Sequence, residues 1–184
     1  SRLPLDQWTL AANIADEEVE HDEAMVSRYA SSYVAIAGPQ ATHAGNMEPL
    51  LAACAGTWIE GPTGEWPIAG VNRSVVASIT DDDLMSDEDA RVSLYRTRTE
   101  LINTITGTYQ NPETFYESSP LATTIDDSAR TLDGERLAVS ISYEAVTRAD
   151  VGDRLNDIYL RASRYQANAE VCLHPKYRFL EPGQ

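Results

Sequence analysis

The sequence has few basic residues and no long apolar run, and each shortage excludes a class of protein. Of its 184 residues, 14 are Lys or Arg and 29 are Asp or Glu, which gives a formal net charge of −15. This balance argues against a protein that binds nucleic acid or an anionic membrane, because both require a positive surface. No apolar run approaches the ~20 residues of a membrane-spanning helix, and no signal peptide is recognisable.

Cysteine is almost absent, since the chain has only Cys54 and Cys172. Two cysteines at this spacing do not make a zinc site. Cys54 lies in a helical apolar pattern and Cys172 in a strand-like one. We therefore expect both to be unbridged and to pack as small buried hydrophobes in a reducing compartment.

Catalytic motifs are missing as well. The chain has no nucleophile elbow, no phosphate-binding loop and no dinucleotide fingerprint. His21, His43 and His174 are far apart in sequence and none has a second His at i+3 or i+4, so a role as metal ligand or base is disfavoured for each. A carboxylate pair for glycoside hydrolysis stays open, because 29 acids allow any pairing in space. We expect a protein that is not an enzyme, with no catalytic, cofactor-binding or metal-ligating residue.

Acidic residues are abundant and concentrated in two clusters, Asp16 to Glu23 ("DEEVEHDE") and Asp81 to Asp89 ("DDDLMSDED"). Oxygen-rich clusters can bind calcium, but the second one does not fit an EF-hand loop. Counted from Asp81, its sixth position is Ser86 rather than Gly and its twelfth is Val92 rather than Glu. Solvated charged loops are the favoured interpretation.

The apolar patterns predict an α+β fold with a small lobe over residues 1–72 and a β-rich lobe over residues 73–184. The small lobe reads as helix, strand, helix and hairpin. Its first helix is capped by Asp6, its second is capped by Asn46, and its hairpin turns at Gly61–Gly64. Three tryptophans occur here, and they could line a sugar-binding groove, although core packing is favoured: Trp8, Trp58 and Trp66.

The second lobe is predicted to be mainly antiparallel, with one packed helix. Thr147 caps that helix, and a face of Leu155, Ile158 and Tyr159 packs on the sheet. The stretch "SSPLATTIDDSARTLDGER" reads as a loop with a turn at Asp133–Gly134. The predicted strands are "SVVASIT", Leu101 to Tyr109, "LAVSISYEAV" and "AEVCLHPKYRFL".

Taken in order, the motifs "NMEPLLAACAGTWIEGPTGEWPIAG", "RTRTELINTITGTYQNPETFY" and "RTLDGERLAVSISYEAVTRADVGDRLNDIYL" form a pattern. It resembles the central tail-hub or tip-attachment proteins of long-tailed bacteriophages. The matching features are the strand from Asn103 to Pro112, the Asp133–Gly134 turn, the helical Asp153-Arg154-Leu155 and the closing Leu180 to Gly183. The chain departs from the family at Gly152, where Ala or Gln is common, and at Gln184, where the family has Asp.

The resemblance implies a structural component of a phage or prophage tail, located at the virion tail tip and made in the bacterial host cytoplasm. It implies a homotrimer that links the tail tube to the tip and contacts the distal tail, tail tube and tape-measure proteins. DNA would pass nearby without specific binding, and the loop from Asp81 to Asp89 could face the axis. The alternatives are a carbohydrate-active hydrolase acting on the cell envelope and a calcium-dependent adhesion module. Because the chain starts at Ser1-Arg2 and stops in a turn-like Pro182-Gly183-Gln184, we expect a segment of a longer protein.

Overall fold

Helices alternate with short antiparallel ribbons in a computed structural model that describes residues 4–21, 24–35, 37–38, 41–61, 64–71, 75–85 and 90–180. The predicted α+β class is confirmed. The helices are α1 (Leu5–Asp16), α2 (His43–Ala52), α3 (Asp127–Asp133) and α4 (Ala149–Ser163), and the strands are β1 (Glu18–His21), β2 (Ala24–Ser27), β3 (Thr57–Gly61), β4 (Gly64–Ile68), β5 (Arg91–Ser93), β6 (Thr104–Asn111), β7 (Glu117–Pro120), β8 (Thr124–Ile125), β9 (Ala138–Tyr143) and β10 (Asn168–Glu170).

The first acidic cluster is not a loop, as predicted, but supplies a strand. Glu18–His21 pairs antiparallel with Ala24–Ser27, and Val19 lies opposite Val26. The β-branched pair offers a cross-strand contact that the acids around it do not prevent. Asp6 lies in the first turn of α1 and does not cap it, because the N-cap position is occupied by Pro4.

The second helix and the tryptophan hairpin follow the prediction with one correction. Helix α2 is capped by Thr42, whose hydroxyl accepts a hydrogen bond from the Gly45 amide at 3.0 Å. Asn46 instead lies inside the helix, so its predicted capping role is wrong. The hairpin of β3 and β4 is confirmed, with Ile59 opposite Trp66, and residues 62–63 of its turn lie outside the described residues.

The central sheet is built around β6. On one edge, β6 pairs antiparallel with β8 near its start and with β7 near its end. On the other edge it pairs parallel with β9 over six residues, from Thr104↔Ala138 to Tyr109↔Tyr143. A parallel pair needs a crossover, and here β7, β8 and α3 form it.

That crossover contradicts the predicted loop over residues 118–136. Asp126 caps α3 by accepting a hydrogen bond from the Ala129 amide at 2.8 Å. Gly134 ends the helix in the left-handed conformation at φ 74°. The Asp133–Gly134 turn is therefore the C-terminal cap of a helix.

Two predicted strands are absent or shortened. Residues 75–80 of "SVVASIT" form no regular element, and "AEVCLHPKYRFL" keeps only β10 before a 3₁₀ turn at Pro175–Tyr177. Strand β10 pairs with β5, and among the described residues no further strand extends this ribbon into a sheet that would bury the segment. Cys172 is accordingly exposed rather than buried, whereas Cys54 is partly buried, and both are free thiols.

Helix α4 packs on β6, but its buried face is rotated about the helix axis relative to the predicted one. Leu155 is fully buried, as predicted, but Ile158 is 39% exposed and Tyr159 is 44% exposed. The helix begins after Arg148, and Thr147 does not cap it. The buried face of the helix includes two polar residues and a glycine, so a search for apolar residues alone does not predict it. Its residues are Val151, Gly152, Leu155, Asn156, Leu160 and Ser163.

The hydrophobic core draws on residues from both halves of the chain. Tyr29 and Ala53 belong to the same buried cluster as Tyr143, Val146 and Leu155. A backbone contact joins the halves too, since the Ser32 amide donates to the Ala145 carbonyl at 2.9 Å. The division of the chain at residues 72 and 73 stays a prediction.

Candidate functional site

The start of β6 is held by one buried asparagine. The Asn103 side-chain amide donates to the Asp133 carboxylate and to the Glu135 carbonyl, both at 2.9 Å. Its side-chain oxygen accepts from the Leu137 amide at 2.9 Å. Asn103 is completely buried, so these bonds replace the water that it loses. One side chain thereby connects the start of β6 to the end of α3 and to the residues that lead into β9.

Charged residues complete this junction. Arg164, just after α4, donates to both oxygens of the Asp133 carboxylate, at 2.9 and 3.2 Å. Arg164, and after it Asn103, lower the pKa of Asp133 below its usual value. Arg98 forms an ion pair with Glu135 at 2.9 Å, on the exposed side of the junction. The ends of α3, α4 and β6 therefore meet at a fixed, charged node.

The second acidic cluster contains a structural anchor. Asp83 is buried, caps a 3₁₀ turn with Thr80, and forms an ion pair with Lys176, the only lysine of the chain. The hydrogen bond from Lys176 is the main cause that holds the pKa of Asp83 far below its usual value. Asp81 and Asp82 are exposed, while residues 86–89 of the cluster lie outside the described residues. The interpretation as a solvated loop is therefore wrong for Asp83.

Neither the histidines nor the acids gather into a metal-binding group within the described parts of the chain. His21 lies on β1 and exerts an electrostatic effect on Asp153. His43 is exposed at the start of α2. His174 accepts a hydrogen bond from the Lys176 amide at 3.2 Å, as the cap of a 3₁₀ turn. The structure thus places the three histidines on three separate elements.

Of the three tryptophans, Trp8 borders an apolar cleft between α1, α2 and the hairpin. Trp8 and Trp58 pack edge to face with ring centroids 5.6 Å apart, and the Trp8 indole donates to the Glu65 carbonyl at 3.0 Å. Trp66 is buried. The cleft has a volume of about 240 Å³ and is lined by Trp8, Ala11, Met47, Leu50 and Cys54, among others. Two rings in edge-to-face contact are a packed pair rather than a flat sugar platform.

A polar cleft of about 470 Å³ lies along α3 and holds two carboxylates. Asp127 and Glu135 line it together with Arg130 and Arg136. The hydrolase alternative requires an acid and a base in one cleft, and these two carboxylates share one. Glu135, however, is already engaged by Arg98 in the ion pair described above. The arrangement resembles a surface charge network more than a catalytic pair.

The turn between β6 and β7 displays two aromatic side chains in solvent. Phe115 is 94% exposed and Tyr116 is 59% exposed. Both have positive φ, 57° and 62°. We call these two residues the aromatic tip. No sequence signal points to it, because left-handed turn positions are normally marked by Gly or Asn.

The ribbon of β5 and β10 is a second exposed surface. All residues from 90 to 100 are exposed, among them Val92, Leu94 and Tyr95 at 59%, 60% and 78%. A two-stranded ribbon with exposed apolar side chains and open edges is a usual contact element in assemblies.

Comparison with known protein families identifies the chain. Residues 44–184, most of its length, match the family model described as "Putative phage tail protein". The chain belongs to this phage tail protein family. The match begins at the second residue of α2 and covers the tryptophan hairpin, the central sheet, α3, α4 and the exposed ribbon, while α1 and the hairpin of β1 and β2 precede it. None of the curated proteins compared with the chain matches it.

Membership of the phage tail family gives the chain a structural role in a bacteriophage and a place in the virion tail. The family points to a structural rather than an enzymatic protein. The strand from Asn103 to Pro112, which carried the resemblance, is the centre of the sheet. Of the closing Leu180 to Gly183, only Leu180 lies within the described residues. No helix in the described parts of the phage tail protein is long and apolar enough to cross a membrane.

Proposed function

We propose that the chain is an internal segment of the tail-hub or tip-attachment protein, and that it joins the tail tube to the tip. The observation that carries this proposal is the node at Asn103. The residues that resemble the hub family lie far apart in sequence, yet they surround one strand: Asp133 binds Asn103, and α4, with Arg154 and Leu155, packs on β6. The shared motifs thus describe one structural unit rather than scattered likenesses.

In this proposal the segment forms a homotrimer around the tail axis, with contacts to the distal tail, tail tube and tape-measure proteins. A closed ring of three needs two different complementary surfaces on each copy. The exposed ribbon of β5 and β10 and the apolar cleft beside Trp8 are surfaces of this kind.

The net charge of −15 fits a channel for DNA. Basic residues lining the bore would hold phosphates, and binding would strengthen with each contact. We place the exposed carboxylates of Asp81 and Asp82 towards the axis, where they would repel DNA and let it slide. Asp83 is excluded from that role because it pairs with Lys176.

Electron microscopy of assembled tails labelled on this chain tests the proposal. We expect three labels at the junction between tube and tip. Labels along the tube, or six-fold labelling, would contradict it. A reconstruction in which Arg96, Arg98 or Arg154 lines the bore would contradict the DNA-channel part alone.

Two biochemical assays separate the proposal from its alternatives. The hydrolase alternative requires two carboxylates about 5–10 Å apart and turnover of peptidoglycan or capsule. We expect no turnover, and activity lost in Asp127→Asn would establish the enzyme instead. The adhesion alternative requires calcium binding, for which we expect no heat in titration calorimetry.

A further inference from the structure

We propose that the aromatic tip, Phe115 and Tyr116, is a docking knob that inserts into another protein of the tail, at a pocket with an apolar floor and a rim rich in Lys or Arg. This inference rests on the proposed function, because it assigns one of the contacts that a tail-hub segment must make. It names a surface that the family match does not.

The backbone at the tip is unfavourable for the residues that occupy it. Phe115 has φ 57° and ψ 39°, and Tyr116 has φ 62°. Two consecutive left-handed residues form a turn that normally takes Asn-Gly or Gly-Gly, since a bulky side chain is strained there. Such strain persists where surrounding contacts impose it, and it is concentrated at functional sites.

The contacts that impose this conformation are present. Asn111 accepts a hydrogen bond from the Glu113 amide at 3.0 Å through its side chain. Its carbonyl accepts from the Thr114 hydroxyl at 3.2 Å and from the Tyr116 amide at 2.8 Å. Pro112 fixes its own φ. The tip is thus rigid before any partner arrives, which lowers the entropy lost on binding.

The two side chains contribute little to the fold. Phe115 is 94% exposed, and Tyr116 is 59% exposed. A strained turn that places two aromatic rings in water does not stabilise the fold of this chain. Exposed, rigidly held aromatic side chains are, however, the usual anchors of protein interfaces.

Charge identifies the partner's rim. Between Glu100 and Arg130 the sequence has no Lys, Arg or His, and the tip is flanked by the exposed acids Glu113 and Glu117. A basic rim would complement these acids and would orient the approach. A second copy of this chain is a poorer partner for this acidic tip, because it carries a net charge of −15.

Replacing the tip with residues that tolerate the turn separates stability from docking. We expect the double variant Phe115→Asn, Tyr116→Asn to melt about 2–4 °C higher than the wild type, since the strain is relieved. In competition with the wild type for incorporation into tails, we expect it to be incorporated roughly tenfold less or worse, because the anchor is lost. The matched control is Tyr165→Asn, which removes an aromatic side chain that is 73% exposed elsewhere; we expect neither effect. A lower melting temperature, or incorporation equal to that of the wild type, would overturn the inference.

A photoreactive phenylalanine analogue at position 115, in assembled tails, then identifies the partner. We expect cross-links to another tail protein, at apolar residues next to Lys or Arg. Cross-links to a second copy of this chain, or none, would overturn the inference. If the chain is present at the junction of tube and tip but no cross-link forms, the docking knob alone fails. If the chain is absent from that junction, the proposed function fails.

Discussion

The side-chain amide of Asn103 lies 2.9 Å from the Asp133 carboxylate, and Arg164 donates to the same carboxylate at 2.9 Å. A buried amide, an acid and a base thus join β6, α3 and the end of α4. The contact spans 30 residues of sequence, so it fixes the crossover that allows β9 to pair parallel with β6.

Removing the Asn103 side chain should destabilise the fold strongly. The change Asn103→Ala leaves the Leu137 amide without its side-chain acceptor and removes one of the donors to Asp133, at a fully buried position. We expect a loss of at least about 2 kcal/mol in the free energy of unfolding, measured by urea titration. Asn168→Ala, in the exposed ribbon, is the control and should change stability by less than about 0.5 kcal/mol. Equal losses in the two variants would show that Asn103 is not the junction.

The pair of Asp83 and Lys176 should make stability depend on acid pH. The pKa of Asp83 is lowered in the folded protein, relative to about 3.9 for a free carboxyl. The stabilisation is therefore complete above about pH 4 to 5 and is lost as the pH falls through the folded pKa.

Urea titrations between pH 7 and pH 2 measure this dependence. The variant Asp83→Asn should be less stable than the wild type at pH 7, and the difference should shrink in acid. The variant Asp81→Asn, at an exposed neighbouring position, is the control. Its stability should fall in acid as much as that of the wild type. A constant difference between wild type and Asp83→Asn at all pH values would refute the linkage.

Helix α4 should reveal its buried face through truncation. Leu155→Ala removes a fully buried side chain and should cost about 2–5 kcal/mol. Ile158→Ala, on the face that is 39% exposed, should cost about 1 kcal/mol or less. Arg161→Ala, also exposed, should cost less than ~1 kcal/mol. If Ile158→Ala costs as much as Leu155→Ala, the helix packs in a different rotation.

The contact of Gly152 with Leu121 should make a helix-favouring substitution harmful. A Cβ on Gly152 would lie 2.6 and 2.8 Å from the two Cδ atoms of Leu121. We expect Gly152→Ala to cost about 1–3 kcal/mol through overpacking, despite a gain of about 1 kcal/mol in helix propensity. The companion change Leu121→Val makes room for the new methyl group. The double variant should therefore lose less free energy of unfolding than the two single variants lose in total. Additive losses would show that the two side chains do not compete for space.

The two thiols should differ in reactivity. Cys172 is exposed, whereas Cys54 is partly buried and burial raises its pKa. Because the thiolate is the reactive form, a maleimide at pH 7 should label Cys172 well before Cys54. Mass spectrometry of the wild type and of Cys172→Ser measures the two rates. Rapid labelling of Cys172→Ser would contradict the partial burial of Cys54, and a mass increase of two hydrogens on reduction would reveal a disulfide.

Local patterns predicted several elements correctly. The strand that became β6, the tryptophan hairpin and helix α4 each have a periodicity or turn that a short window contains. Leu155 could be assigned to the core for the same reason. The predicted caps at Asp6, Asn46 and Thr147 were wrong, because several neighbouring residues can cap a helix and packing selects among them.

Other predictions failed where the partner was distant. The sequence of residues 75–80 is typical of a strand, yet these residues pair with no strand among the described residues. Cys172 lies in an apolar pattern, yet no sheet in the described part of the chain packs on it. Conversely, α3 and β8 were read as loop, although Asp126 and Gly134 are ordinary start and stop residues of a helix. A short segment gains its structure from what it pairs with, and its own sequence does not contain that information.

The sequence by itself determined the α+β class, the acidic character of the chain and, through the order of its motifs, its relation to phage tail proteins. Those properties depend on composition and local spacing, which are the same in the unfolded and the folded chain. Only the tertiary structure decided that β9 runs parallel to β6, that Asn103 and Asp83 are anchors rather than surface residues, and that Phe115 and Tyr116 stand in solvent on a strained turn. Each of these depends on contacts between residues far apart in the chain, and the free energy of such contacts exists only once the fold has brought them together.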